Sequence, residues 1–215
     1  MQRIIFGLNT MSKTVTFFLP AIFFLFQYTY LEAQHTGRDT WQQPERLMDS
    51  IGVKAGMVIG EPGAGDGYFT LKMARRIGAR GKIYANDIDG NKLASLRKKS
   101  AENGLRNITT ILGEVEDPLL PDSSMDMIVM VYVFHDLEMP VVFLKNLLYD
   151  LKPGAKLFLI ERDPARFGGE HRHFMNRDEV VAKVKAGGFR VEKIIDDFPR
   201  DNLYICVPES QLNGR

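Results

Sequence analysis

Thirteen residues constrain this chain more than any others: Val58-Ile59-Gly60-Glu61-Pro62-Gly63-Ala64-Gly65-Asp66-Gly67-Tyr68-Phe69-Thr70. An apolar run over residues 57–59 ends in an acid. Three glycines follow at alternate positions, and an amphipathic segment then begins. A buried parallel strand, a tight turn and a helix N-terminus read this way in sequence. Glycine reaches backbone angles that a Cβ forbids and lets the main chain approach a ligand closely. The helix that starts there directs its free N–H groups at whatever occupies the turn.

The rest of the chain repeats the unit. Strands are expected over 57–61, 82–86, 107–112, 124–134 and 156–161, with helices over 68–77, 90–102 and 139–150 between them. Residues 127–134 are apolar without a break, as a central strand buried on both faces requires. Lys152-Pro153-Gly154 reads as a turn. Asn176 and Glu179 frame a capping box for a further helix that ends at Gly187-Gly188. Two final strands, 189–196 and 203–207, are joined by so short a connection that one must run antiparallel. Strand–helix alternation of this kind predicts an α/β fold, a doubly wound sheet that binds ligands beyond the carboxyl ends of its strands.

A length of 215 residues suits one domain with a sizeable core. The net charge of +1 argues against nucleic acid or a strongly acidic partner. The single cysteine, Cys206, excludes an internal disulfide and a cysteine metal cluster, and no metal is expected. Residues 15–31 are apolar and aromatic, preceded by Arg3 and Lys13, with no acid before Glu32. This pattern predicts an export signal or uncleaved membrane anchor over 1–33, with Met11 an alternative start. The alternative is a cytoplasmic enzyme behind an apolar leader. A cap segment over 34–55, a main domain over 56–207 and a tail over 208–215 complete the expected organisation. Oligomeric state is not legible.

The glycine spacing bears on the ligand. The dinucleotide fingerprint is G-x-G-x-x-G. Here the third glycine, Gly67, comes one residue early, and Tyr68 stands in its place. Asp87 follows Gly67 by 20 residues, at the end of the second strand, where an acid accepts both hydroxyls of a ribose. Asp89 suits the N-cap of the next helix. Glu114, after the third strand, is placed to accept from an adenine amino group, with Ile88 and Val115 on either face of the ring. A solvated loop acid is the plain alternative for Glu114.

Glu61-x-Gly63-x-Gly65-x-Gly67, Asp87, Gly113-Glu114, the run from Met125 to His135-Asp136, and Leu151-Lys152-Pro153-Gly154 together resemble the successive motifs of the class I S-adenosylmethionine-dependent methyltransferases, in order and spacing. The resemblance covers residues 45–207. Ala155 stands where a second glycine is usual, and Glu61 where aspartate is commoner. The resemblance implies a Rossmann-like methyltransferase fold with strand order 3-2-1-4-5-7-6 and the seventh strand antiparallel. It implies S-adenosylmethionine as cofactor, held by Glu61, Gly63, Gly65, Gly67, Tyr68, Asp87, Ile88, Glu114, Val115 and Val131.

Methyl transfer then requires an acceptor held in line and kept dry. His135 is the candidate general base, with Asp136 to orient it; a histidine that packs the loop is the plain alternative. Arg38, Trp41, His171 and Arg172 are candidate substrate contacts. The acceptor is expected to be a small molecule, lipid-like or quinone-like if the leader holds the chain at a membrane. Tyr132-Val133-Phe134-His135 lacks the Asn/Asp-Pro-Pro-aromatic run of amino-directed nucleobase methyltransferases, and no Pro-Cys nucleophile exists. An NAD-linked oxidoreductase and a catalytically inactive binding protein of the same fold are the competing readings.

Overall fold

The apolar run after Ser124 carries side chains for two faces, and the fold uses both. In the computed structural model, which describes residues 37–166 and 173–209, β4 (Met125–Val131) sends Met127 and Val129 to one hydrophobic core and Ile128 and Met130 to another. β5 (Leu151–Arg162) divides Phe158 and Ile160 from Leu157 and Leu159 in the same way. β7 (Asp201–Pro208) divides Leu203 from Tyr204 and Cys206. Strands apolar on both faces need a layer on each side. On the first, α1 (Pro44–Ile51), α2 (Tyr68–Ile77) and α3 (Gly90–Glu102) contribute Leu47, Met48, Phe69, Met73 and Leu96. On the second, α4 (Pro140–Asp150) and α5 (Arg177–Ala186) contribute Phe143, Leu144, Leu147, Val180 and Val184.

β1 (Val58–Pro62), β2 (Lys82–Asp87), β3 (Ile108–Leu112) and β6 (Phe189–Ile195) complete a seven-stranded sheet of order β3-β2-β1-β4-β5-β7-β6. β1 pairs parallel with β2 and β4, β2 with β3, and β4 with β5. β7 runs antiparallel between β5 and β6. This is the Rossmann-like order and the antiparallel seventh strand expected from the sequence.

The chain divides after Thr40 into two units. Of the first, residues 37–40 are described and are helical. The expected leader over 1–33 lies outside the described residues, as do residues 210–215 of the expected tail. Among the described residues no helix is long and apolar enough to cross a membrane. Part of the expected cap segment belongs to the core itself: Leu47, Met48, Ile51 and Val53 are all buried in the first cluster.

Local signals hold at most element ends. Asp89 caps α3, its carboxylate accepting from the Asn91 and Lys92 amides, and Asn176 with Glu179 forms the capping box of α5. Two boundaries differ. The fourth strand does not run to Phe134. It ends at Val131, Tyr132 turns the chain at φ 57°, and Phe134–Asp136 closes a 3₁₀ turn. The apolar run hides this bend because Phe134, beyond the strand, is fully buried in the second core. Lys152-Pro153-Gly154 lies inside β5 as an irregularity. Met125 pairs with Leu151 but Met127 with Lys156, and Gly154 absorbs the excess at φ 80°.

Asp126 holds that irregular end together. Its carboxylate accepts from the Val58 amide at 2.7 Å and from Lys152 Nζ at 2.7 Å, joining β4 to the start of β1 and to the bulge. Burial works against the charge, but these two hydrogen bonds outweigh it and lower the Asp126 pKa. Such stability is present above the unfolded-state pKa and lost as pH falls through the folded one. Asp126→Asn should cost about 1–2 kcal/mol at pH 7. The deficit should shrink on acidification toward pH 3, as read from urea melts at both pH values.

Candidate active site

The strand order reverses between β1 and β4, and beyond the carboxyl ends of these strands lies a cleft of about 240 Å³. Such a switch point is where open α/β sheets bind ligands. Gly63 and Gly65 form the wall after β1, and Asn86, Asp87 and Ile88 form that of β2. Glu114 and Val115 follow β3, and Tyr132, Val133 and Asp136 follow β4.

The glycine turn is shaped from β2. Gly63, Gly65 and Gly67 all have positive φ (71°, 57° and 92°). A Cβ on Gly63 would sit inside the Val133 side chain, whereas one on Gly65 would meet nothing within 4 Å. Asp87, only 6% exposed, accepts the Gly65 amide at 2.9 Å through Oδ2 and the Asp89 amide at 2.9 Å through Oδ1. An ionised carboxylate accepts about four hydrogen bonds, so its outer lone pairs remain for a ligand. The Ala64 amide donates to the Asn86 carbonyl at 2.8 Å. The Asn86 side chain donates to the Pro118 carbonyl at 2.8 Å, fastening the loop that carries Glu114 and Val115. Ile88 and Val115 leave 63% and 40% of their surface exposed at the cleft, apolar area available to a flat ligand.

Other expected cofactor residues stand behind this wall. Glu61 is buried in β1 opposite Ala85 of β2. Gly67 is the left-handed N-cap of α2, and Tyr68 begins that helix with Lys72 Nζ over its ring at 5.1 Å. Val131 ends β4 opposite Ile160. None of these four lines the cleft.

His135 stands next to the cleft-lining Asp136, 3.6 Å from its carboxylate. The His135 side chain, 5% exposed, does not line the cleft. The bend at Tyr132 and the 3₁₀ turn carry its ring to Glu161 of β5, with Nδ1 and Glu161 Oε2 2.6 Å apart. Glu161, and not Asp136, orients it; Asp136 Oδ2 is 3.6 Å from Nε2. Glu161 is 3% exposed and also accepts the Val133 and Phe134 amides at 3.2 and 2.8 Å. Burial pulls the His135 pKa down, but the hydrogen bond and charge of Glu161 outweigh it and the net shift is upward. Sequence reasoning missed Glu161, Asn86 and Arg162. Their one signal is a polar residue at the end of an apolar strand, and it names no partner.

Beside Tyr132 lies a cluster of rings and guanidinium groups. Trp41 stacks on Tyr132 with centroids 6.2 Å apart and planes 21° from parallel. The Arg162 guanidinium lies 5.0 Å from the Tyr132 centroid, 5.6 Å from Trp41 and 5.2 Å from Phe174, and that of Arg200 is 4.9 Å from Trp41. Beneath it the Tyr132 hydroxyl donates to Asp201 Oδ2 at 2.6 Å. Burial pushes the Asp201 carboxyl up to about 6 despite that hydrogen bond and the nearby Arg162 charge. Arg38 lies in the first unit, within helical residues 37–40. His171 and Arg172 lie outside the described residues.

Two predictions follow from strain and charge. Gly63→Ala, blocked by both φ and Val133, should lower the midpoint of thermal unfolding by several degrees. Gly65→Ala, with open space for its methyl, should cost about 1 kcal/mol from its backbone angle alone. Raising the folded-state pKa of Asp201 makes its contribution to stability full below about pH 3.8 and progressively lost as pH rises through about 6. The stability of wild type relative to Asp201→Asn should therefore fall by about 2–3 kcal/mol between pH 4 and 7.5 in denaturant titrations.

Comparison with known proteins agrees with this geometry. A family profile described as a methyltransferase domain matches residues 61–159. The chain is 27% identical over 115 residues to the ubiquinone/menaquinone biosynthesis C-methyltransferase UbiE of Idiomarina loihiensis and to that of Shewanella pealeana. Each match covers 53% of this chain and 46% of the relative, so the chain spans about half the length of the curated relatives it matches. The crystal structure of a SAM-dependent methyltransferase from Aquifex aeolicus superposes with a TM-score of 0.73 at 25% identity, over 79% of this chain and 91% of that one. Family profile, fold and switch-point cleft agree: residues 61–159 match a methyltransferase domain within a Rossmann-like methyltransferase fold, and S-adenosylmethionine is the cofactor that these likenesses imply.

Proposed function

We propose that the chain transfers the methyl group of S-adenosylmethionine to a small, planar acceptor that carries negative charge. The observation that carries this reading is Tyr132, which lines the cleft and also stacks on Trp41 beside Arg162. Rings and guanidinium groups favour a flat anionic partner through stacking and charge. The relatives named for ubiquinone and menaquinone biosynthesis support a ring acceptor, and the apolar leader supports one near a membrane. Arg38, His171 and Arg172 stay candidate contacts on sequence grounds.

In this reading Asp87 accepts the ribose hydroxyls with its outer lone pairs, Ile88 and Val115 enclose the adenine, and Glu114 accepts from its amino group. The glycine turn lets the main chain approach the methionine end, with Glu61, Gly67, Tyr68 and Val131 supporting the turn from behind. S-adenosylmethionine supplies an activated methyl sulfonium. The protein's task is to hold the acceptor in line and exclude water. We assign no proton step to His135, because it stands outside the cleft lining. The competing reading, a fold retained without catalysis, draws no support from relatives named as methyltransferases.

Calorimetric titration of the full chain with S-adenosylmethionine and its demethylated product tests the cofactor half. Micromolar binding is expected. Asp87→Ala should weaken it about 100-fold, since hydrogen bonds to a charged group contribute about 1.5–3 kcal/mol each. NADH should not bind. A folded sample that binds neither adenosyl ligand overturns the proposal.

A further inference from the structure

Behind the cleft wall, two imidazoles and a carboxylate converge where β4 ends. His173 Nε2 lies 3.2 Å from Asp136 Oδ1, and His135 Nε2 lies 3.6 Å from Asp136 Oδ2. The two rings meet edge to face with centroids 5.0 Å apart. One donor atom from each of these residues falls within 4.8 Å of the other two. We propose that His135, Asp136 and His173 bind a divalent transition-metal ion of the zinc class.

The donor set comes first. Two neutral imidazoles and a carboxylate suit zinc and its neighbours, and three protein ligands leave a coordination position open. The two contacts of Asp136, 3.2 and 3.6 Å, are close to the roughly 3.3 Å between ligands of a tetrahedral zinc shell. Asp136 and His173 are 57% and 68% exposed, so both have room to move inward onto an ion.

The second reason is the buried group behind the site. A carboxylate only accepts, so Glu161 fixes the proton on His135 Nδ1 and turns the Nε2 lone pair toward Asp136. Carboxylate-backed imidazoles of this kind orient and strengthen metal ligands. Glu161 is itself pinned by the Val133 and Phe134 amides, which makes the first ligand rigid while the other two adapt. The charge balance also suits a cation: Asp136 and Glu161 bring two negative charges, and Arg162 is the cation felt at His135. An exposed His173–Asp136 contact gains little as an ion pair alone. Because Asp136 also lines the cleft, the ion would stand against that wall.

The test uses the full chain, stripped with chelator and titrated with Zn²⁺ by calorimetry and with Co²⁺ by visible absorption. One equivalent of Zn²⁺ and a cobalt d–d band are expected. His173→Ala and Asp136→Asn, both at exposed side chains, should melt as wild type does, abolish the band and weaken Zn²⁺ at least tenfold. Glu161→Gln should weaken it about 10–100-fold. Absence of saturable Zn²⁺ binding by the wild-type chain overturns the proposal, and so does either exposed-site variant that folds and binds like wild type. These readouts do not depend on methyl transfer.

Discussion

The carboxyl end of β2 is the point on which the site depends. A tight turn leaves its amides unpaired, and amides away from water need partners. Asp87 takes the Gly65 amide and the Asn86 carbonyl takes that of Ala64, so the glycine turn is moulded against the neighbouring strand. The same short segment fixes the loop after β3 through the Asn86 side chain. One strand end therefore sets three of the four cleft walls. The glycines permit the turn's shape, but the acid and the amide of β2 select it.

The fourth wall is set by a different buried acid. After β4 the chain bends at Tyr132 and exposes two amides, Val133 and Phe134, to the interior of the sheet's end. Glu161, from the adjacent parallel strand, accepts both and binds His135 as well. A buried carboxylate is costly unless its lone pairs are filled, and here two amides and an imidazole fill them. This arrangement sets Val133 against Gly63 and His135 against Glu161.

Around these two acids the sheet places charge unevenly. Glu161, Arg162 and Asp201 lie side by side on paired strands, since Arg162 is opposite Asp201 and Glu161 opposite Asn202. Arg162 is shared among the rings of Trp41, Tyr132 and Phe174. Asp201, deeper, holds Tyr132 by its hydroxyl. Neighbours in register on an antiparallel pair thus support opposite ends of one aromatic side chain.

The sequence by itself determined the strands and helices, because their signals are local and periodic; their order across the sheet was what the family resemblance implied. Residues 127–130 alternate between two cores, Asp89 and Asn176 cap their own helices, and the short link before Asp201 forces an antiparallel return. Asp87 was legible for a similar reason: its distance from Gly67 is a one-dimensional quantity. Only the tertiary structure decided where side chains meet across strands. The contacts of Glu161 with His135, of Arg162 with Trp41, and of Asp136 with His173 span 26, 121 and 37 positions, and a period of two or 3.6 carries no information at those separations. The bend at Tyr132 shows the same limit. An apolar run reports burial but not direction, and the direction was chosen by a carboxylate on another strand.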